Sequence, residues 1–354
     1  MKNYINNLIE LTENKKDELL IVVIGNVKGF TKIDDDYTDT SIISEYYSQQ
    51  QFDDIVIALR SNKFIVKCYF DELDFIHDYS LKCLSNLYPL KPLVINFAQK
   101  GTSIGRKSLI PSFCDLNHII HTNCNAFVAS LCREKYICSR ILKGLYHTVE
   151  SWLYSYKYGW ISEKPLCGEK VIVKLINESS SIGLTDNNVF VYNEKSDNKV
   201  RQIANKYKTD VVVQKFISGF EVEVPFILTN ECHVFDPIGI SLEGQANLND
   251  GILDYEIRGN HKFGFYDFNK QFPDLSKKIM LEVKNVAKFL NIEGLGRIDF
   301  RIDNQQNYYI TDINANPHIT KSMTVYYAMQ KLGFEDYADT LKMFIGTAIS
   351  RHPN

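Results

Sequence analysis

"GRIDFRIDNQQNYYITDINANP" (Gly296–Pro317) decides how this 354-residue chain is read. Both arms of the stretch alternate apolar and polar residues with period two, as half-buried strands do, and the polar run Asp303-Asn304-Gln305-Gln306-Asn307 between them is turn-like. A hairpin closing on Gln305-Gln306 sets Asp299 opposite Asp312 and Arg297 opposite Asn314 on one face. On the other face Ile298 meets Ile313 and Phe300 meets Thr311. One face is core and the other is ionic. Like charges directly opposite each other destabilise a sheet, so a positive charge is expected between the aspartates. Carboxylate and amide oxygens with few thiols or imidazoles nearby suit a hard cation, magnesium before zinc. A solvated hairpin whose carboxylates pair with Arg297 and Arg301 satisfies the same pattern, and the hairpin alone does not choose between the two.

The length allows two or three domains, and 45% hydrophobic with 23% charged residues is ordinary for a globular chain. A net charge of -3, an isoelectric point near 6.3 and the lack of a polybasic arm or acidic tail argue against a nucleic-acid partner. The apolar run Leu19 to Ile24 is too short for a membrane span, and the polar start Met1 to Glu18 lacks the order of a signal peptide. A cytoplasmic protein with no membrane partner is expected. Eight cysteines without C-x-x-C spacing, several in apolar patterns, predict reduced and mostly buried thiols. His118 and His121 form an H-x-x-H without a glutamate motif and read as structural.

Apolar runs at 19–25, 63–70 and 92–98 alternate with helix-like stretches around 41–60 and 71–87, the rhythm of a parallel α/β domain. Residues 125–145 show helical spacing in Phe127, Leu131, Cys138 and Leu142, with Gly144 as a stop. Strands then dominate 170–176, 187–194, 210–228 and 232–240, which predicts antiparallel sheets. The polar stretch 242–264 reads as a long loop of the kind that forms lids, and helices at 275–290 and 334–350 flank the hairpin.

Within "VIVKLINESSSIGL" (171–184), a lysine leaving a strand is a point charge suited to phosphate, and the Ser/Gly loop offers amide and hydroxyl donors. A plain surface turn is the alternative. "GTSIGRKS" (101–108) fails the P-loop spacing, because Arg106 intervenes and the glycines are too close. In "QKFISGFEVEV" (214–224), Glu221 and Glu223 share a face that can be wet, where a carboxylate can accept from ribose hydroxyls. The extended backbone at Lys215 to Ile217 can meet an adenine edge. An exposed polar strand face is the blander reading.

In their order, the Lys174-to-Gly183 stretch, the Gln214-Lys215-Phe216-Ile217 run with Glu221, Arg297-x-Asp299 and Asp312-x-Asn314-x-x-Pro317 resemble the ATP-grasp superfamily. The resemblance is greatest to its D-alanine–D-alanine ligase branch, over roughly residues 90–350. It implies an α/β fold, α+β in the C-terminal part: an N-terminal parallel α/β domain (1–122), then two ATP-grasp subdomains (123–213 and 214–354) that sandwich the nucleotide. The implied activity is an ATP-dependent ligase joining a carboxylate to an amine through an acylphosphate. Its cofactors would be ATP and magnesium, two ions, with manganese as an alternative. Amino-acid-like small molecules are the implied partners, and a homodimer is the common oligomer of such ligases.

Residue by residue, the resemblance implies that Lys135 and Lys174 contact ATP phosphates, with Glu178 and Ser181 also on the nucleotide. Glu221 would hold the ribose, and Gln214, Lys215 and Ile217 would frame adenine, with Gln214 standing where the family has glutamate. Arg258, Arg297 and Ser180 would serve catalysis, Arg258 at the terminal phosphate and Arg297 at the transferred phosphoryl group. Asp299, Asp312 and Asn314 would hold the metal. The substrate half departs: the family's glycine-rich first loop is not recognisable in residues 25–40, which leaves Glu45 and Arg106 as substrate candidates. His318 replaces a glycine, and Met323 replaces the serine that grips the second substrate. Two D-alanines are therefore not the expected substrates. The rival readings are an ATP-grasp ligase of glutathione-type or natural-product chemistry, and a nucleotide-binding regulatory protein without turnover.

Overall fold

Leu19 to Gly25 is a run of apolar residues without alternation, the pattern of a strand covered on both faces. In the computed structural model of the protein it forms β1 (Leu19–Gly25), with all of its residues buried. The structure describes residues 1–33, 36–37, 40–161, 163–260 and 262–352. Residues 34, 35, 38 and 39 of the unrecognised 25–40 stretch and residue 261 of the 242–264 loop lie outside the described residues. β1 lies between β2 (Ile65–Tyr69) and β3 (Lys91–Phe97), and β4 (Ile120–His121) extends the parallel sheet in the order β2-β1-β3-β4.

The polar N-terminal segment gave no sign of the helix Lys2–Lys15, yet it packs Ile5, Leu8 and Thr12 inward. Thr12 Oγ1 donates to the carbonyl of Lys342 at 2.7 Å, on the helix Tyr337–Arg351, and Phe344 of that helix faces Phe97 of β3. The first and last helices thus share one core with the parallel sheet.

Residues 125–145 form two helices, not one. Ala126–Arg133 and Lys135–Leu142 are broken at Glu134, whose extended backbone resets the axis and whose carboxylate caps the second helix at the Ile137 N–H. The break dissolves the single apolar stripe, and Phe127 is exposed.

Two antiparallel sheets follow. β5 (Ser151–Ser155), β6 (Gly159–Trp160), β7 (Lys170–Leu175), β8 (Val189–Val191) and β9 (Val211–Lys215) pair in the order β6-β5-β9-β7-β8. β10 (Phe220–Leu228), β11 (Cys232–Val234), β12 (Ile238–Leu242), β13 (Phe263–Asp267), β14 (Gly294–Ile302) and β15 (Tyr308–Asn314) build the larger sheet, ordered β13-β12-β10-β14-β15 with β11 on the end of β10. The helix Pro273–Phe289 covers its apolar face through Ile279, Val283 and Val286. The stretch 242–264 is not all loop: it contains the helix Tyr255–Gly259 and runs into β13. A further helix, Thr324–Lys331, follows the hairpin.

In the β14–β15 hairpin Arg297 faces Asn314, Ile298 faces Ile313 and Asp299 faces Asp312, as read. Past Asp299 the register slips, and Phe300 faces Ile310 rather than Thr311. Thr311 is the extra residue of the bulge and donates its hydroxyl to the Asp299 carbonyl at 3.2 Å. The slip lets the core receive an isoleucine opposite Phe300 in place of a hydroxyl.

All eight cysteines are free, five of them buried. No helix among the described residues is long and apolar enough to cross a membrane.

Gly219 joins β9 to β10 at φ +139°, and a Cβ there would lie 2.0 Å from the Ile302 carbonyl oxygen. Both its backbone groups are engaged, its N–H with Asn249 and its carbonyl with Leu248. Gly219→Ala is expected to lose about 3 kcal/mol or more of stability, read as a lowered midpoint in urea denaturation.

Candidate active site

The wet face of the larger sheet carries a ladder of charges. Strand register sets Glu223 beside Asp299 and Glu221 beside Arg301 across β10–β14, then Asp299 beside Asp312 across β14–β15. Arg297 forks onto Asp299, Nε to Oδ1 and Nη2 to Oδ2 both at 2.7 Å, and its Nη1 reaches Glu223 at 3.0 Å. Arg258, on the helix Tyr255–Gly259, approaches Glu223 at 3.6 Å. Arg301 pairs with Glu221 at 3.2 Å rather than with the hairpin aspartates, and it donates to the carbonyls of Ile217, Asn249 and Gly251. The positive charge expected between the aspartates is, within the protein, Arg297 on Asp299.

Asp312 has no hydrogen bond or ion pair among the described residues, and Asn314 beside it accepts only from the Asn316 N–H. Burial pushes the Asp299 carboxyl up to about 7, and the charges of Glu223 and Asp312 add to the rise against the pull of Arg297. No group of three His, Cys, Asp or Glu side chains among the described residues could close around a metal. What the hairpin offers is two carboxylates and a carboxamide, all oxygen donors, with one carboxylate free. That set of hard oxygen donors fits magnesium, which Asp299, Asp312 and Asn314 would hold.

The ladder forms one wall of a cavity of about 700 Å³. Lys174 enters it from β7 and Lys135 from the first turn of its helix, where its ammonium also donates to the Glu178 carbonyl. Burial holds the Lys174 ammonium below the usual lysine range, against the pull of Asp312. Gln214, Lys215 and Ile217 line the far end with Glu221. Gln214 is buried and donates to Ser151 Oγ at 3.4 Å, while its Oε1 has no partner. That oxygen is an acceptor available to an exocyclic amine. Ser180 and Ser181 line the cavity from a turn with φ of 51° and 58°, and the Ser181 hydroxyl is held by the Leu253 carbonyl.

The substrate candidates fall differently. Glu45 and Glu178 reach the cavity wall, but Arg106 lies behind them and its neighbour Lys107 lines the cavity instead. The Glu178 carboxylate, expected on the nucleotide, is engaged within the protein: it accepts from Arg106 at 3.0 and 2.7 Å, from Tyr37 at 3.0 Å and from Arg133 at 3.4 Å. Glu45 accepts from Arg106, from Arg133 and from the Ser179 N–H. Two arginines and two glutamates therefore form one buried, neutral block. His318 lies on the cavity, stacked on Tyr47 with ring centroids 4.9 Å apart and planes 5° apart, and Met323 precedes the helix Thr324–Lys331 on the same wall. Sequence reasoning missed Arg133, Lys107 and the inward role of Glu223. Only Glu223 left a signal, its place two residues from Glu221 on the same strand face.

One parallel and two antiparallel sheets, with a lysine-lined cavity against an acidic hairpin, make the arrangement of an ATP-grasp enzyme. Residues 164–345, just over half of the chain, match the family described as D-ala D-ala ligase C-terminus, and the chain belongs to the D-alanine–D-alanine ligase family of ATP-grasp ligases, which form carbon–nitrogen bonds. It is 26% identical to the D-alanine–D-alanine ligase of Rickettsia typhi over 238 residues, covering 66% of this chain and 69% of that protein. Against the D-alanine–D-alanine ligase of Aquifex aeolicus it is 23% identical over 286 residues, covering 79% and 91%. The fold matches the structure of the Bacillus anthracis D-alanine–D-alanine ligase complexed with ATP, with a TM-score of 0.67 at 14% identity, over 93% of this chain and 97% of that one. The VanG D-Ala:D-Ser ligase of Enterococcus faecalis matches with a TM-score of 0.64 at 16% identity, over 94% and 99%.

Burial pushes the His318 imidazole down to about 4, and the charge of Lys107 adds to the fall. The unfolded chain binds a proton below about pH 6.5 that the folded chain refuses until about pH 4, so this group's contribution is present at neutral pH and is lost on acidification through that window. Because the ring keeps access to cavity water, the loss is expected to be about 2 kcal/mol. Denaturant titrations at pH 7 and pH 4.5 should show the wild type losing that much more than His318→Gln.

Proposed function

We propose that the protein is an ATP-dependent carboxylate–amine ligase whose substrates are not two D-alanines. The observation that supports it is the meeting, in one cavity, of Lys135, Lys174, the unpartnered Gln214 oxygen and the Asp299-Asp312-Asn314 set. In this reading residues 123–213 and 214–354 close on the nucleotide from two sides, and residues 1–122 bring the substrate wall. Gln214 accepts from the adenine amino group, Glu221 holds the ribose, and Lys135 and Lys174 meet the phosphates with the Ser180 and Ser181 turn. Asp299, Asp312 and Asn314 would hold magnesium, which when bound neutralises charge on the phosphates. Arg297 and Arg258 face the terminal phosphate and the transferred group.

A substrate carboxylate displaces ADP from the terminal phosphate, an amine attacks the acyl carbon, and phosphate departs. Such chemistry rests on positioning and charge neutralisation rather than on a nucleophilic side chain, which suits a site of lysines, arginines and carboxylates. The substrate half supports other acids and amines than D-alanine, because His318 and Met323 stand where a glycine and a serine would seat the second one. A thioether gives no hydrogen bond to a carboxylate, and a buried carboxylate left without a donor is strongly disfavoured.

Steady-state ADP release with D-alanine as sole substrate, in saturating ATP and magnesium, is expected to be close to background. Robust D-alanyl-D-alanine formation would overturn the substrate half of the proposal. Asp312 carries no ion pair whose loss would weaken the fold, so Asp312→Ala should keep its unfolding midpoint and lose about a hundredfold or more in ADP formation with any accepted substrate. Undiminished turnover in that variant would remove the metal assignment.

A further inference from the structure

Glu45 is where an ammonium group of a substrate would be sought, since it is a carboxylate on the cavity wall. A carboxylate offers about four lone-pair sites. Glu45 fills four contacts from within the protein: Arg106 to Oε2 at 3.4 Å, Arg133 to Oε1 and Oε2 at 3.2 Å each, and the Ser179 N–H to Oε1 at 2.8 Å. Glu178 fills four likewise, from Tyr37, Arg106 twice and Arg133. Neither is available to a substrate cation.

Donors on the same wall are in the opposite state. Lys107 lines the cavity with no hydrogen bond or ion pair among the described residues. Glu45 and Asp312 pull on its charge, Arg106 and Lys135 oppose it, and it acts in turn on His318. The buried hydroxyl of Ser44, next to Glu45 on the cavity wall, has no partner either. Lys28 adds a second ammonium to the lining, also without an ion pair among the described residues. The phosphate side already has Lys135, Lys174, Arg258 and Arg297, so Lys107 is a cation in excess of that need.

Resting on the ligase reading above, we infer that the acid activated here carries a second carboxylate and that Lys107 is the specificity-determining residue that receives it; the substrate class is an acidic amino acid or a related dicarboxylic acid. A small neutral amino acid would bring Lys107 no second carboxylate, leaving it only the through-space pull of Glu45 and Asp312, with neither of which it pairs. A charge-assisted hydrogen bond between an ammonium and a carboxylate is of the strong kind, and its loss costs about ten- to a hundredfold in binding.

The test uses hydroxylamine as acceptor, so the natural amine need not be known. The acid's carboxylate oxygen attacks the terminal phosphorus of ATP and the bond to ADP breaks. The hydroxylamine nitrogen then attacks the acyl carbon, phosphate leaves, and the nitrogen's proton passes to solvent. Hydroxamate formation is measured with both enantiomers of aspartate, glutamate and alanine and with succinate. Hydroxamate from an acidic member is expected, with its KM raised about tenfold or more in Lys107→Met, largely restored in Lys107→Arg, and the KM for ATP little changed. Hydroxamate from alanine alone, an acid KM unmoved in Lys107→Met, or an ATP KM raised as much as that of the acid would each overturn the inference. Calorimetric titration of the same acids into the full chain with ADP and magnesium separates the two readings. Binding of a dicarboxylate that Lys107→Met abolishes, without hydroxamate, would sustain the Lys107 assignment while sinking turnover; neither binding nor hydroxamate would sink both.

Discussion

The fork of Arg297 on Asp299, extended by the same guanidinium to Glu223, is the contact around which the larger sheet is organised. Three strands carry its members or their neighbours in register, so a slip of β14 by one residue would drive these charges into the apolar face that packs on the helix Pro273–Phe289. Buried ion pairs of this kind contribute little net stability, because desolvation offsets the attraction, but breaking one leaves an uncompensated charge. Their value is in fixing a geometry. Here the geometry fixed is the spacing of Asp299 and Asp312, with the second carboxylate left free.

Charge is distributed unequally over the cavity. Arg106, Arg133, Arg297 and Arg301 each have a close carboxylate partner within the protein, while Lys107, Lys135 and Lys174 have none among the described residues. That division follows from the side chains: a guanidinium has a fixed fork that matches carboxylate geometry, whereas an ammonium is a compact charge on a flexible stem. Arg106 and Arg133 lie off the cavity lining and serve the frame, while Arg258 and Arg297 share the lining with the lysines.

Much of this was legible where the pattern is local. Period-two alternation placed the hairpin and its register as far as Asp299, and unbroken apolar runs placed β1 and β3. The bulge at Thr311 was missed although it leaves a trace: Ile310 and Ile313, both buried, stand three residues apart and break the alternation of the second arm. The helix Lys2–Lys15 escaped because one of its three inward residues is Thr12, whose polarity is satisfied by the Leu8 and Lys342 carbonyls. The block of Glu45, Arg106, Arg133 and Glu178 joins four distant segments, and no spacing within any of them announces the others. Proximity across a fold has no one-dimensional signature, and the unpaired state of Lys107 depends on it.

The shared core of the first and last helices also bears on synthesis. β1 and β3 leave the ribosome long before Leu341, Phe344, Ile345 and Ala348 exist to cover them and the helix Lys2–Lys15. Until then the nascent parallel sheet holds an apolar face open to whatever it meets, and its pairing with the last helix is a contact of the longest sequence separation, the kind that closes slowly. The opening third of the chain therefore stays exposed to aggregation until the last helix is made, and a truncation that spares every cavity residue but removes that helix would be lost to aggregation rather than to failed chemistry.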